Sequence, residues 1–272
     1  MAARSIADKV IIVTGASSGI GRATAQALAP ERARLVLVAR RQDRLASLEE
    51  EIRRAGSIAA AMPLDLRHRD QVETMIRSTH DRFGRVDVLI NNAGFGFWGT
   101  VEDTPESLVR EIFDLNFEAP FIACQLVIPI MRAQGGGHII NVSSVAGRRG
   151  LPLSGIYCAT KFALQGISES LRLEVKGSGI AVSIINPAAT QAEFGEHIRY
   201  GKVRTKFKPT GHVQPAEEVA AAIVKCIKAP RLEVYPYKRS RLVAWASALG
   251  PGIMDRILTN YFRDRIRVAG GE

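Results

Sequence analysis

Cysteine is scarce. Cys124, Cys158 and Cys226 are the only three in 272 residues, an odd number at wide spacing, which excludes a disulfide framework or a metal-ligand set and leaves buried thiols. Long apolar runs are also lacking. No uninterrupted stretch of about 18 apolar residues occurs, so no membrane-spanning helix is expected. Met1 to Lys9 is polar, and the first apolar run, Val10 to Val13, is too short for the core of an export signal, so a cytoplasmic protein is expected. Acidic residues are outnumbered, 27 against 37 Lys or Arg, for a net charge of +10. Of that excess, +8 lies between Gly195 and Glu272, where 15 basic residues face 7 acidic ones. No zinc spacing, RNA-binding signature or lysine tract accompanies it, so no nucleic-acid partner is expected. The expectation is a solvated arginine-rich surface, with an anionic substrate, a carrier protein or a membrane surface as alternatives.

Short β-branched runs are what the sequence has in plenty: Val10 to Thr14, Arg34 to Ala39, Ile58 to Met62, Val86 to Ile90, His138 to Val142, Ala181 to Ile185 and Leu232 to Tyr235. Between them lie helical periodicities at Arg22 to Ala29, Arg41 to Arg54, Gln71 to Phe83, Pro105 to Arg132, Ile156 to Lys176 and Pro215 to Lys228. Strand and helix in alternation predict an α/β fold, a doubly wound, seven-stranded parallel sheet of Rossmann type with helices on both faces. A single domain over residues 1–272 accommodates it. Residues 188–214 read as a long charged connection, a substrate lid. Residues 238–268 read as a C-terminal helical extension, two short amphipathic helices on either side of Gly250-Pro251-Gly252.

In such sheets ligands bind beyond the carboxyl ends of the strands. Thr14-Gly15-Ala16-Ser17-Ser18-Gly19-Ile20-Gly21 leaves the first strand and opens the first helix. Gly15 permits the tight turn, Gly19 lets backbone approach a pyrophosphate, and Gly21 allows close packing, while the helix N-terminus faces the anion. At the end of the second strand stands Ala39-Arg40-Arg41, where an NAD-binding chain usually has an acidic residue. A guanidinium suits a 2′-phosphate, so Arg40 and Arg41 predict NADP(H).

With Asp65, Asn91-Asn92-Ala93-Gly94, Asn116, Ser144 and Tyr157-xxx-Lys161 in order and spacing, the chain over residues 8–187 resembles the classical short-chain dehydrogenase/reductase family. The resemblance implies an oxidoreductase that interconverts a carbonyl and an alcohol. It places Ser17, Ser18, Ile20, Asp65, Leu66, Asn92, Ala93 and Gly94 along the cofactor with the loop glycines. Ser144 would hold the substrate oxygen, Tyr157 would move its proton, and Lys161 would bind the nicotinamide ribose. Asn116 would hold a water between Lys161 and solvent. A homodimer or homotetramer is likewise implied, and no metal. Tyr157 and Lys161, four apart on a helix, share a face. At an effective dielectric of about 20, an ammonium about 4 Å from a phenolate stabilises it by roughly 4 kcal/mol, which would draw the phenol from about 10 towards 7.

One segment departs from the family pattern. Asn186-Pro187-Ala188-Ala189-Thr190-Gln191-Ala192 has Ala188 where glycine is usual and Ala192 where a carboxamide-binding threonine is expected. With Pro187 and Ala188 beside it, Thr190 is the substitute, at the cost of weaker cofactor binding or a rearranged loop. His138 and His197 read as structural. The substrate class implied is apolar: a steroid, a lipid, an acyl thioester or a xenobiotic ketone. Two other readings stay open: a cofactor-binding regulator with little turnover, and a peripheral membrane protein whose tail arginines flank apolar residues. Against the last stands a tail that covers the substrate cleft or a subunit interface.

Overall fold

The computed structural model describes residues 4–191, 198–202 and 213–269. Its first half repeats one unit: β1 (Val10–Thr14), α1 (Gly19–Leu28), β2 (Arg34–Ala39), α2 (Gln42–Arg54), β3 (Ile58–Pro63), α3 (Arg69–Phe83) and β4 (Val88–Asn91). Then follow β5 (Phe97–Trp98), α4 (Glu106–Phe113), α5 (Ala119–Ala133), β6 (Gly137–Val142), α6 (Gly155–Glu174) and β7 (Ile180–Ile185). The remainder holds β8 (Thr190–Gln191), β9 (Arg199–Tyr200), β10 (Gln214–Pro215), α7 (Ala216–Lys228), β11 (Glu233–Val234), α8 (Lys238–Leu249) and α9 (Pro251–Ala269).

Seven strands form one parallel sheet in the order β11-β7-β6-β4-β1-β2-β3, as the sequence predicts. A parallel sheet is covered on both faces, which is why its strands are continuous apolar runs rather than alternating ones. All five residues of β1 are buried. One face packs Leu28, Leu45, Leu48, Ile52, Val219 and Ile223 of α1, α2 and α7. The other packs Val72, Met75, Ile122, Val127, Met131 and Leu171 of α3, α5 and α6. Strand order reverses beside β1, which lies between β2 and β4, so the crevice at the carboxyl ends of β1 and β4 is where a ligand belongs.

The main differences from the expected elements have local causes. The helix predicted over Pro105 to Arg132 is divided: between α4 and α5, Asp114–Glu118 makes a π-turn. Pro120 has no N–H to give the Asn116 carbonyl four residues back, so the hydrogen-bond ladder slips by a residue. α1 starts a turn earlier than its periodicity suggests, because Gly19, Ile20 and Gly21 are themselves its first turn. Among the described residues of the connection and its C-terminal edge lie β8, β9 and β10, each two residues long and so too short for periodicity to show; β8 pairs with β10 and β5 with β9. One segment passes a membrane-spanning test by length and composition alone. Glu106–Ala133 is long and apolar enough to cross a bilayer, but α5 spends that character against the sheet, with Ile122, Val127 and Met131 buried.

Candidate active site

A cavity of about 1430 Å³ runs over the carboxyl edge of the sheet, from the Gly15–Ile20 loop past Tyr157 to the last two helices. Single ligand pockets typically reach about 300–1,000 Å³, so this one has room for two molecules side by side.

Its first end is built by the turn after β1. Gly15 and Gly19 have φ of +69° and +51°, which L side chains rarely adopt. A Cβ on Gly21 would lie 2.2 Å from the Gly15 carbonyl oxygen, so loop and helix touch only because that atom is missing. The Ser18 side chain makes no capping bond, which leaves the first-turn N–H groups of α1 for an anion. Thr14 welds this turn to β4 across the point of reversal. Its hydroxyl donates to the Ile90 carbonyl and accepts from the N–H groups of Asn92 and Ala93, while the Asn92 amide donates to the Thr14 carbonyl. Nothing in the sequence beyond its place before Gly15 marks Thr14 for this role.

Arg40 is exposed, whereas Arg41 is half-buried and holds Ser17 Oγ through Nε and Nη2 at 3.2 and 3.0 Å. Asp65 and Leu66 line the cavity beyond it. The Asp65 carboxylate takes Arg67 in a fork, with Nε at 3.0 and 3.1 Å from its two oxygens, and this bond holds its pKa below the usual carboxylate value despite partial burial. Arg67 continues to Glu111 on α4, and Glu111 takes Arg199 of β9, whose guanidinium lies 5.1 Å from the centroid of the Phe95 ring. Four charged residues, 65, 67, 111 and 199, thus link the Asp65 side of the cavity to β9. Sequence reasoning identifies only the first of them, since Arg67, although two residues away, belongs to no motif, and Glu111 and Arg199 are distant in the chain.

Midway along the cavity α6 carries Tyr157 and Lys161, and the turn after β6 carries Ser144. Ser144 Oγ accepts the Ala146 N–H at 3.1 Å and hydrogen-bonds Tyr157, whereas its neighbour Ser143 is turned away to the Lys161 carbonyl at 3.2 Å. Lys161 is buried and donates from Nζ to the Val142 carbonyl at 3.0 Å, with Nζ 5.8 Å from the centroid of the Tyr157 ring. Burial alone brings its pKa down to about 8. The Tyr157 phenol moves opposite to expectation: burial pushes it up, and the Ser144 hydroxyl only partly offsets that. The physical reason is burial, which disfavours the charged form of both groups and so raises the phenol while it lowers the ammonium. Near neutral pH this chain therefore keeps Tyr157 as a proton donor beside a mostly charged Lys161.

Asn116, fully buried in the π-turn, holds the segment after β4 in place. Its Oδ1 accepts the Phe95 N–H at 3.0 Å, and its Nδ2 donates to the Phe95 carbonyl at 2.9 Å and to Thr160 Oγ1 at 3.2 Å. The side chain is thus committed to protein groups. Gly94 fits beneath this amide only because it lacks a Cβ.

Pro187, Ala188 and Thr190 line the cavity between the two ends. Thr190 donates to the Ala188 carbonyl at 3.0 Å and pairs through β8 with Gln214, so its hydroxyl is engaged within the loop. Ala192 and His197 lie outside the described residues. His138 is buried in β6 against Ser183 Oγ at 2.8 Å, away from the cavity, with its pKa lowered to about 3 by burial and then by the charge of Arg4. Beyond Tyr157 the walls become apolar. Trp98, Leu153, Ile198 and Phe262 form one cluster, with Leu258 against it.

The chain is 32% identical over 259 residues to the ketoacyl reductase HetN of Nostoc sp., covering 93% of this chain and 89% of that protein. Among solved structures, a short-chain dehydrogenase/reductase from Burkholderia phymatum in complex with NAD superposes with a TM-score of 0.83 at 25% identity, covering 92% of this chain and 96% of that one. A metagenomic short-chain oxidoreductase in complex with NADP gives 0.73 at 29%, covering 85% and 97%. The family model for short chain dehydrogenases matches residues 9–202, and the chain belongs to that family of nicotinamide-dependent oxidoreductases.

Proposed function

We propose that this chain is an NADP(H)-dependent reductase of a carbonyl on an apolar substrate. The observation that carries this reading is one continuous cavity with an anion-binding turn and Arg41 at one end, the Ser144, Tyr157 and Lys161 group in the middle, and the Trp98 to Phe262 wall beyond. The residues fit the cofactor: three glycines clear its path, the uncapped N-terminus of α1 suits its pyrophosphate, and the guanidinium of Arg41, now on Ser17 Oγ, would suit a 2′-phosphate, with Arg40 beside it in sequence. When bound, the dinucleotide supplies a hydride to the carbonyl carbon.

The protein's own groups do the rest. Tyr157 gives its hydroxyl proton to the carbonyl oxygen, and Ser144 donates a hydrogen bond to that same oxygen and so orients it. Lys161, held by the Val142 carbonyl, offers its remaining N–H donors to the nicotinamide ribose and supplies positive charge as the phenol gives up its proton. Asn116 fixes Gly94 and Phe95 and so the floor of the site. The long connection 188–214 is read as a substrate lid from the sequence; its residues 192–197 and 203–212 lie outside the described residues. The acyl chemistry in HetN's name places acyl thioesters among the substrates to try first, alongside steroid-like and xenobiotic ketones.

The test is oxidation of NADPH and of NADH at 340 nm against a panel of such ketones. A charge-assisted hydrogen bond is worth about 1.5–3 kcal/mol, so Arg41→Ala should weaken NADPH binding by about 10- to 100-fold and leave NADH nearly unchanged. Equal use of both cofactors by the unaltered protein would sink the NADP(H) assignment.

A further inference from the structure

The last two helices are apolar on more than the face that covers the cavity. From α8, Ser240, Ala244 and Ser247 turn towards the cavity, and from α9 Met254, Leu258 and Phe262 do so. Yet Leu242, Trp245 and Leu249 of α8 are 64%, 54% and 90% exposed, and Ile253 and Ile257 of α9 are 69% and 54% exposed. Soluble surfaces tolerate single exposed apolar side chains, whereas a cluster of them on adjoining helices marks a contact surface.

What covers this surface is indicated by charge. Over the two helices the sequence counts seven basic residues, Lys238, Arg239, Arg241, Arg256, Arg263, Arg265 and Arg267, against Asp255 and Asp264, a net +5. Asp255 is further neutralised by Arg149. The guanidinium of Arg241 lies 4.5 Å from the Trp245 ring centroid, and that of Arg265 lies 5.4 Å from Tyr261, so cations sit at the aromatic edges of the apolar patch. A second copy meeting this face about a twofold axis would bring +5 against +5. An anionic bilayer instead offers hydrocarbon to the apolar residues and phosphate to the arginines. Ile257 and Tyr261 are exposed and also line the cavity, so the patch and the cavity wall meet at one rim.

We propose that α8 and α9 dock on an anionic phospholipid surface, and that the apolar end of the cavity opens towards it so that a bilayer-dissolved ketone enters without crossing water. The docking rests on the surface alone; the entry of substrate rests also on the reductase reading above.

The experiment is flotation of the full chain with phosphatidylcholine vesicles, alone and with about a third phosphatidylserine, and of a variant carrying Trp245→Glu, Leu249→Glu and Ile253→Glu together. The expected result is flotation with the anionic vesicles only, weakened by high salt, and reduced about tenfold or more in the variant while its thermal melting is unchanged. Turnover of a vesicle-dissolved ketone should then fall in the variant while turnover of a water-soluble ketone holds. Failure of the intact chain to float, equal flotation of the variant, or apolar self-association that the variant abolishes without any vesicle binding would each overturn the docking. Flotation without ketone turnover by either protein would overturn the substrate entry and leave the docking standing.

Discussion

Gly94→Ala tests whether the floor of the site is as tightly determined as its geometry implies. The added methyl carbon would lie 2.9 Å from Asn116 Oδ1, 3.4 Å from its Cγ and 3.7 Å from Lys161 Nζ. An ordinary contact needs about 0.5 Å more than the first of these. A flexible neighbour would swing aside, but the Asn116 amide is buried and held by three hydrogen bonds, two of them to Phe95, the residue next to the substitution. Relief must come from breaking some of those bonds or from displacing residues 93–95. Overpacking of this kind costs about 1–3 kcal/mol, which for a chain of this size lowers Tm by roughly 2–12 °C. Because the methyl also reaches Lys161, and a displacement of about 1 Å can cost about 100-fold, kcat/KM should fall further than stability alone explains. Differential scanning fluorimetry and steady-state kinetics measure both, with Gly150→Ala, whose Cβ would meet nothing within 4 Å, as the neutral control. A Gly94→Ala protein within about 1 °C and about twofold of the parent would refute the reasoning.

Three further outcomes follow from the same geometry. Gly166 is an exposed interior residue of α6 with open space around it, so Gly166→Ala should stabilise by about 0.5–1 kcal/mol and raise Tm by a few degrees, read by the same melt. Glu111→Gln removes the charge that holds both Arg67 and Arg199; the loss of about 1 kcal/mol should raise the NADPH dissociation constant about fivefold in a fluorescence titration, and an unchanged constant would show that the four-residue chain does not reach the adenosine side. His138 is neutral in the fold down to about 3 but takes a proton near 6.5 when unfolded. The unfolded state therefore binds the extra proton, and stability should fall as pH drops from 6.5 towards 3, by up to about 1.4 kcal/mol per pH unit. Urea melts at pH 6.5, 5.5 and 4.5 should show that slope flattened in His138→Asn, and an equal slope in both would locate the acid sensitivity elsewhere.

What the sequence discloses about this molecule is what depends on near neighbours in the chain. The β-branched runs mark the sheet because a strand buried on both faces must be apolar throughout, and Gly15, Gly19 and Gly21 mark the anion turn because each is needed within seven residues. Tyr157 and Lys161 are found through the family resemblance, to which helical spacing adds that they share a face, and α8 and α9 by the break at Gly250 to Gly252. The two-residue strands β5 and β9 escape notice because two residues carry no period. The π-turn at Asn116 follows from Pro120, but an apolar run of this length reads as one helix until the missing N–H is assigned to a particular carbonyl. Glu111 and Arg199 are invisible as site residues, since only the fold brings them to Arg67. The Tyr157 pKa is misjudged from spacing alone, because spacing gives the separation of two groups and not their burial, and burial moves both.

The central claim is that a hydride goes from the nicotinamide to a carbonyl carbon while Tyr157 supplies the proton. It is tested most directly with NADPH deuterated at the transferring position of C4, incubated with an apolar ketone and the 272-residue protein, followed by mass spectrometry of the alcohol. The account predicts one deuterium on the carbinol carbon, with formation slowed by about 100-fold or more in Tyr157→Phe although NADPH still binds. Unlabelled alcohol, or equal rates in the two proteins, would contradict it.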